Sequence, residues 1–239
     1  MSSILFKGNW ISPWSPSPYQ EKFTLFSGEE KEVKYIFSRS TEFEYFKDEE
    51  FEGISMPYAG DRLIATIIVP SVPVSSHFTK IISNLNQQLD KVLLKFSRAK
   101  GEVHLPQFRV EYTGDLNKMF QVCGMDIAFS PLADFSNLTV TPEGLQINKF
   151  MHTSVFEIAS TSNIPPSSSS DLEFSMKVTS PFIVLVRDVK TNIVLFLGVV
   201  NDFNADFDPM PVVVSTAERP SSPPKMYIIK YLMSLLIHI

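Results

Sequence analysis

The 239-residue sequence predicts an α+β fold dominated by antiparallel sheet, and three observations carry that prediction. Apolar residues follow a largely period-two pattern through the stretch from Glu32 to Val69, as half-buried strands require. Helical spacing, by contrast, is confined to the middle of the chain. The third observation is compositional: 9 Gly stand against 17 Pro and 20 Phe, so turns fall mostly to Pro, Asn, Asp and Ser. That composition suits a sheet with stiff connections. A hydrophobic share of 44% with 20% charged residues is enough for a packed core and excludes a wholly disordered, collagen-like or multi-pass membrane chain. The net charge of -5 supplies no basic field for a phosphate backbone, so nucleic acid is not an expected partner.

The elements follow in order. Val33, Tyr35 and Phe37 recur at every second position, Phe43 and Tyr45 alternate with Glu42 and Glu44, and Arg62 to Val69 forms a continuous apolar strand. Three or four antiparallel strands are predicted there. Phe78, Ile81, Ile82, Leu85, Leu89, Val92, Leu93 and Phe96 recur at intervals of three and four, which predicts one bent helix or two short ones between His77 and Phe96. Glu102 to Tyr112 alternates again, and Pro106 within it points to an edge or a bulge. Asp115 can cap a short helix carrying Leu116, Met119, Phe120 and Cys123 inward, with Gly124 where a C-terminal cap belongs. Leu145 to Ile158 reads as extended. Ala159 to Asp171, with Pro165-Pro166 and four consecutive serines, reads as an exposed loop. Phe182 to Val186 and Ile193 to Val200 are apolar without alternation, which predicts a central hairpin buried on both faces and joined by Arg187 to Asn192.

Catalytic layouts are absent: there is no Gly-rich phosphate loop, no His-Glu-x-x-His helix and no Gly-x-Ser-x-Gly elbow, so an enzyme is not expected. His77, His104, His152 and His238 are scattered without metal-site spacing, and no metal or cofactor is expected. The single Cys123 forbids an internal disulfide. The acidic group Glu42, Glu44, Asp48, Glu49, Glu50 and Glu52 reads as a solvated strand end and turn. Asn137-Leu138-Thr139 is a possible N-glycosylation sequon at Asn137. Met226 to Ile239 is apolar but broken by Lys230, Ser234 and His238, and shorter than the roughly 20 residues of a membrane span.

Seven segments in order resemble the serpin family of serine protease inhibitors. Phe6-Lys7-Gly8-Asn9-Trp10 is similar to the family's Phe-Lys-Gly-x-Trp, leaving the third strand of its main sheet. Met56-Pro57-Tyr58 with Asp61-Arg62-Leu63 resembles its Leu-Pro-Tyr strand, and Leu105-Pro106-Gln107-Phe108 its Leu-Pro-Lys-Phe strand. Asp115-Leu116 opens the helix that follows in the family, and Phe129 with Ala133-Asp134-Phe135-Ser136 resembles the segment before the hinge strand. Ser180-Pro181-Phe182 resembles the Arg-Pro-Phe signature after the reactive loop, and Leu195 to Val200 matches the final strand.

The resemblance implies antiparallel sheets B and C with short helices, in a partial domain over 1–209 followed by a tail, 210–239, without counterpart. The family's N-terminal helices and first two main-sheet strands precede the segment starting near Leu5, so the main sheet is expected to be incomplete and to offer no slot. The implied activity is inhibition of a serine protease: a loop is offered as bait, and the cut loop inserts into the main sheet. That loop corresponds to 159–177, with Ala159, Ser160, Thr161, Ser162, Asn163, Ile164, Pro165 and Pro166 in its hinge portion and a scissile bond expected at Ser170-Asp171. The family's Glu-Glu-Gly-Thr is missing here, and Pro165-Pro166 would place two residues without N–H groups in a central strand. The resemblance thus predicts a non-inhibitory or incomplete member. His152 is shutter-like, with Ser2 at the position of the partnering asparagine. Alternatives are a binding module, self-associating through exposed sheet edges, and an incomplete gene model or splice product. The resemblance implies an extracellular location, while the N-terminus lacks a signal-peptide pattern, which keeps the cytoplasm as the alternative.

Overall fold

A computed structural model describes residues 2–71, 89, 91–138, 144–162 and 171–202. The strands are β1 (Ser2–Phe6), β2 (Ser15–Thr24), β3 (Glu30–Lys47), β4 (Phe51–Pro57), β5 (Leu63–Pro70), β6 (Ser97–Pro106), β7 (Phe108–Asp115), β8 (Met151–Ile158), β9 (Phe174–Lys177), β10 (Phe182–Asp188) and β11 (Val194–Val200). A short helix, α1 (Asn117–Val122), and a 3-10 turn at Ile127–Phe129 lie between β7 and β8.

Two sheets result. The larger has the order β11-β10-β5-β4-β3-β6-β9, with β2 also paired to β3, and the smaller has three strands in the order β1-β8-β7. In the small sheet β1 runs parallel to β8 and β7 antiparallel to it, so β8 is paired along both sides. The long β3 joins two parts of the large sheet: its first half pairs with β2, its last residues pair with β4, and a register shift between Ser40 and Phe43 in its pairing to β6 redirects it. β10 lies inside the large sheet, next to its terminal strand β11, and is wholly apolar from Phe182 to Val186, with every one of those residues buried.

The core lies between the sheets and is largely aromatic. Phe108 of β7 meets Phe182 of β10 at 5.6 Å between ring centroids, and Phe156 of β8 lies 6.0 Å from Phe196 of β11. A second cluster, Phe46, Phe51, Ile68, Val92, Ile183 and Leu185, covers the opposite face of the large sheet. Val92 belongs to the described end of the expected 77–96 helix. Residues 91–93 are helical, whereas 77–88 lie outside the described residues.

Four expectations are corrected. The alternating run through Pro106 is two strands in different sheets: β6 ends at Pro106, and β7 starts at Phe108. Pro106 thus closes an interior strand, a position where its missing N–H costs no ladder bond. The predicted buried hairpin is buried only in β10, because β11 ends the sheet among the described residues and most of it is half-buried. Of the 145–158 run, only Met151–Ile158 is strand. In α1 only Met119 is buried, Cys123 is half-buried, and Asp115 accepts the Asn117 N–H from one residue before the N-cap. Gly124 does follow the C-cap with φ +85°, where a side chain would be strained. β2 had no period-two signal, because Pro16 and Pro18 interrupt it and its register shifts between Pro16 and Gln20.

Candidate loop-bearing site

The segment that leaves β8 and returns as β9 is held at both stems. Ile158 ends β8 fully buried, and Ala159 is buried beyond it. The next stem residues, Thr161 and Ser162, both donate their N–H groups to the carbonyl of Trp14, at 2.9 and 3.0 Å. The Trp14 N–H in turn reaches Thr161 Oγ1 at 3.4 Å. Trp14 can act as a post because its indole is buried against Trp10 and Phe43.

Two of the recognised motifs build that post together. Gly8 lies beneath Tyr58, where a Cβ would come within 2.5 Å of the phenol ring, so only glycine permits the approach. Trp10 then stacks on Tyr58 at 4.2 Å and 16° between planes. The backbones are tied as well, with Ala59 donating to the Asn9 carbonyl at 2.7 Å and Ile11 to the Pro57 carbonyl at 3.1 Å. Beside them, Lys7 Nζ donates to Glu157 Oε1 at 2.7 Å, across the β1–β8 pair. The Glu157 side chain is only 1% exposed, which makes this an ion pair of the interior.

The return stem is fixed by β6. Glu173 N–H donates to the Lys100 carbonyl, β9 pairs in parallel from Gly101↔Phe174 to His104↔Lys177, and Val178 N–H donates to the His104 carbonyl. The Phe174 ring stacks on Tyr45 at 3.9 Å and occupies the space where any Cβ on residue 101 would lie. Tyr35 Oη donates to the Val178 carbonyl at 2.7 Å, and burial pushes its phenol pKa up. Thr24 N–H closes the set on the Thr179 carbonyl. On β6, Glu102 binds His104 Nε2 at 2.8 Å and the Arg39 guanidinium. Burial works against the Glu102 carboxylate, but these two partners hold its pKa below the ordinary value.

Of the expected loop residues, Ala159, Ser160, Thr161 and Ser162 lie in the first stem, and Asp171 is exposed before the second. Asn163, Ile164, Pro165, Pro166 and Ser170 lie outside the described residues. His152 is half-buried in β8, in register with Ser2 on one side and Gly114 on the other. β8 is paired on both sides, by β1 and by β7, so a new strand beside it would have to displace one of them. Asn137 is exposed in a turn. Among the described residues no group of His, Cys, Asp and Glu could hold a metal ion, and no helix is long and apolar enough to cross a membrane. Trp14, Lys7 with Glu157, and Gly101 with Phe174 were not singled out as site residues in the sequence. Each works through a partner distant along the chain, and only the scarcity of tryptophan, 2 in the chain, marks Trp14 at all.

Comparison with known proteins matches the family model "Serpin (serine protease inhibitor)" over residues 1–203. An uncharacterized serpin-like protein of Thermococcus kodakarensis is 28% identical over 211 residues, which cover 82% of this chain and 48% of that protein. Antithrombin-III of Bos taurus is 27% identical, with 83% of this chain and 45% of that protein covered. A solved serpin from the trematode Schistosoma haematobium superposes with a TM-score of 0.73 at 23% identity, covering 84% of this chain and 56% of that one. The chain therefore spans about half the length of the curated relatives it matches.

Proposed function

Because the chain belongs to the serpin family, we propose that it offers the segment between β8 and β9 to a serine protease, and that the encounter ends in cleavage of that segment without trapping the protease. The observation that carries this reading is the anchoring of both stems, one on the Trp14 carbonyl and one on β6, which fixes the two ends of the intervening segment. Relatives such as the bovine antithrombin-III bear inhibitor names, which supports a protease as partner.

Two features favour cleavage over trapping. A loop folding back beside β8 must displace β1 or β7, since β8 is paired on both sides. The parallel β1 pairing is the weaker ladder, but Lys7–Glu157 reinforces it. Then Ile164-Pro165-Pro166 would enter a central strand without two of its N–H donors. A scissile bond at Ser170-Asp171 suits a protease that accepts small residues, of the elastase class. We place the encounter outside the cell, and fractionation of expressing cells tests that against the cytoplasm.

The experiment is incubation with elastase-like and subtilisin-like proteases, read by denaturing electrophoresis and mass spectrometry. Two separate fragments from a cut between Ala159 and Glu173, with no SDS-stable high-mass band, are expected. A covalent band that survives denaturation overturns the reading.

A second reading, self-association, is favoured by the outer edge of β1. Ile4 and Leu5 there are 40% and 53% exposed, and β1 ends its sheet among the described residues. Sedimentation of the wild type against Leu5→Lys decides it, with a dimer that dissociates in the variant as the supporting result.

A further inference from the structure

β2 and the residue before it touch both ends of the segment between β8 and β9. At the first end, the Trp14 carbonyl accepts the N–H groups of Thr161 and Ser162. At the other, the Glu21 carboxylate pairs with Lys177, the last residue of β9, and the Thr24 N–H donates to the Thr179 carbonyl. From Trp14 to Glu21 the chain spans at most about 25 Å. The residues between them therefore cross from one stem to the other.

On that crossing the strand departs from regular pairing. Pro16 pairs with Ile36 and Gln20 with Lys34, which leaves Ser17, Pro18 and Tyr19 opposite Tyr35 alone. A bulge of this kind re-aims the side chains it carries. Here it is stiffened, because Pro16 and Pro18 fix their φ angles and Ser17 Oγ accepts the Tyr19 N–H at 3.3 Å. It is also built against the return stem, since the buried Tyr35 opposite it donates its hydroxyl to the Val178 carbonyl. Tyr19 itself is 74% exposed, and every other aromatic side chain among the described residues is buried or half-buried. A tyrosine on a rigid support offers a large contact area at little cost in conformational entropy, which is why protein interfaces use it as an anchor.

We propose that Tyr19, on the bulge of β2, is a docking contact for the serine protease that attacks the segment between β8 and β9, its ring entering an apolar recess beside the active-site cleft of that enzyme. The inference rests on the protease reading above and adds to it a surface outside the cleaved segment. A specific protein interface of standard size covers about 800 Å² on each partner, a patch about 30 Å across. An enzyme seated between the two stems therefore reaches the whole of Trp14 to Glu21. The ring is covered as soon as the protease is seated and stays covered through the reaction. It contributes to binding and leaves the chemical step as it was.

The test measures the affinity of the full chain for an elastase-class protease whose active-site serine is replaced by alanine, so that docking is read without cleavage. Tyr19→Ala should weaken binding about five- to thirtyfold, whereas Tyr19→Phe, which keeps the ring, should bind close to the wild type. Circular dichroism of both variants should match that of the wild type. With the active enzyme, the KM for cleavage between Ala159 and Glu173 should rise in Tyr19→Ala by the same factor at unchanged kcat. Unchanged affinity and KM in that folded variant overturn the proposal and leave the cleavage reading standing. A wild-type chain that binds the protease but is not cut there overturns the cleavage reading alone, and one that does not bind overturns both. A photoreactive benzophenone side chain at position 19 should crosslink to the inactive protease; an adduct only with a second copy of this chain, or none, counts against the proposal.

Discussion

The two sheets differ in how far they support themselves. The large sheet carries apolar side chains on both faces of its central strands, so β10 and β5 are buried by the elements on either side of them. The small sheet has one covered face, and in β1 only Ser2 and Phe6 are half-buried while the three residues between them are exposed. Its burial is borrowed through a seam of rings: Phe6, Phe108 and Phe156 against Phe182 and Phe196. The difference teaches that the strand from which the loop leaves depends on the large sheet for its position. The strand that receives the loop's other end belongs to the large sheet outright.

Breaking the seam should have the largest effect. Phe182→Ala removes a fully buried ring touching both Phe23 and Phe108, and should cost about 3–5 kcal/mol by urea unfolding, with both sheets lost in one transition. Lys7→Met separates the sheets. It leaves Glu157 buried without its cation, at a cost of about 3 kcal/mol. Amide exchange should then rise in β1 and β8 while β5 and β10 stay protected, and the double variant Lys7→Met, Glu157→Leu should recover most of the loss. Gly101→Val acts on the other stem. It evicts the Phe174 ring and should cost about 1–3 kcal/mol, with faster proteolysis at β9 and none at β1.

Acid should loosen the same stem more gently. The Glu102 carboxyl is held low by His104 and Arg39 against the effect of burial, so its contribution is complete above the unfolded value, about pH 4.3, and is lost as pH falls through the depressed folded value. Stability measured from pH 6 to pH 2 should therefore fall less steeply in Glu102→Gln than in the wild type. Tyr58→Phe is the smallest change. The buried Tyr58 hydroxyl has no hydrogen-bond partner among the described residues, so its removal should shift stability by less than about 1 kcal/mol, toward the stable side.

The strands between Glu32 and Val69 were legible because period-two alternation is a local property. Phe6 to Trp10 and Met56 to Tyr58 stood out as motifs, yet nothing in either shows that Gly8 exists to admit Tyr58 and that the pair positions Trp14. β2 stayed hidden behind its prolines, and β11 looked as buried as β10 because a strand's composition does not report whether it has a second neighbour.

By itself, then, the sequence determined the fold class and the family. Tertiary structure alone decided that β1 pairs with β8 across 150 residues, that the run through Pro106 divides between two sheets, and that the loop's stems rest on Trp14 and β6. The physical reason is range. Alternation, capping and turn chemistry act between residues a few positions apart, whereas the choice of strand partner and the face left open to water are settled only when distant apolar surfaces compete to be buried.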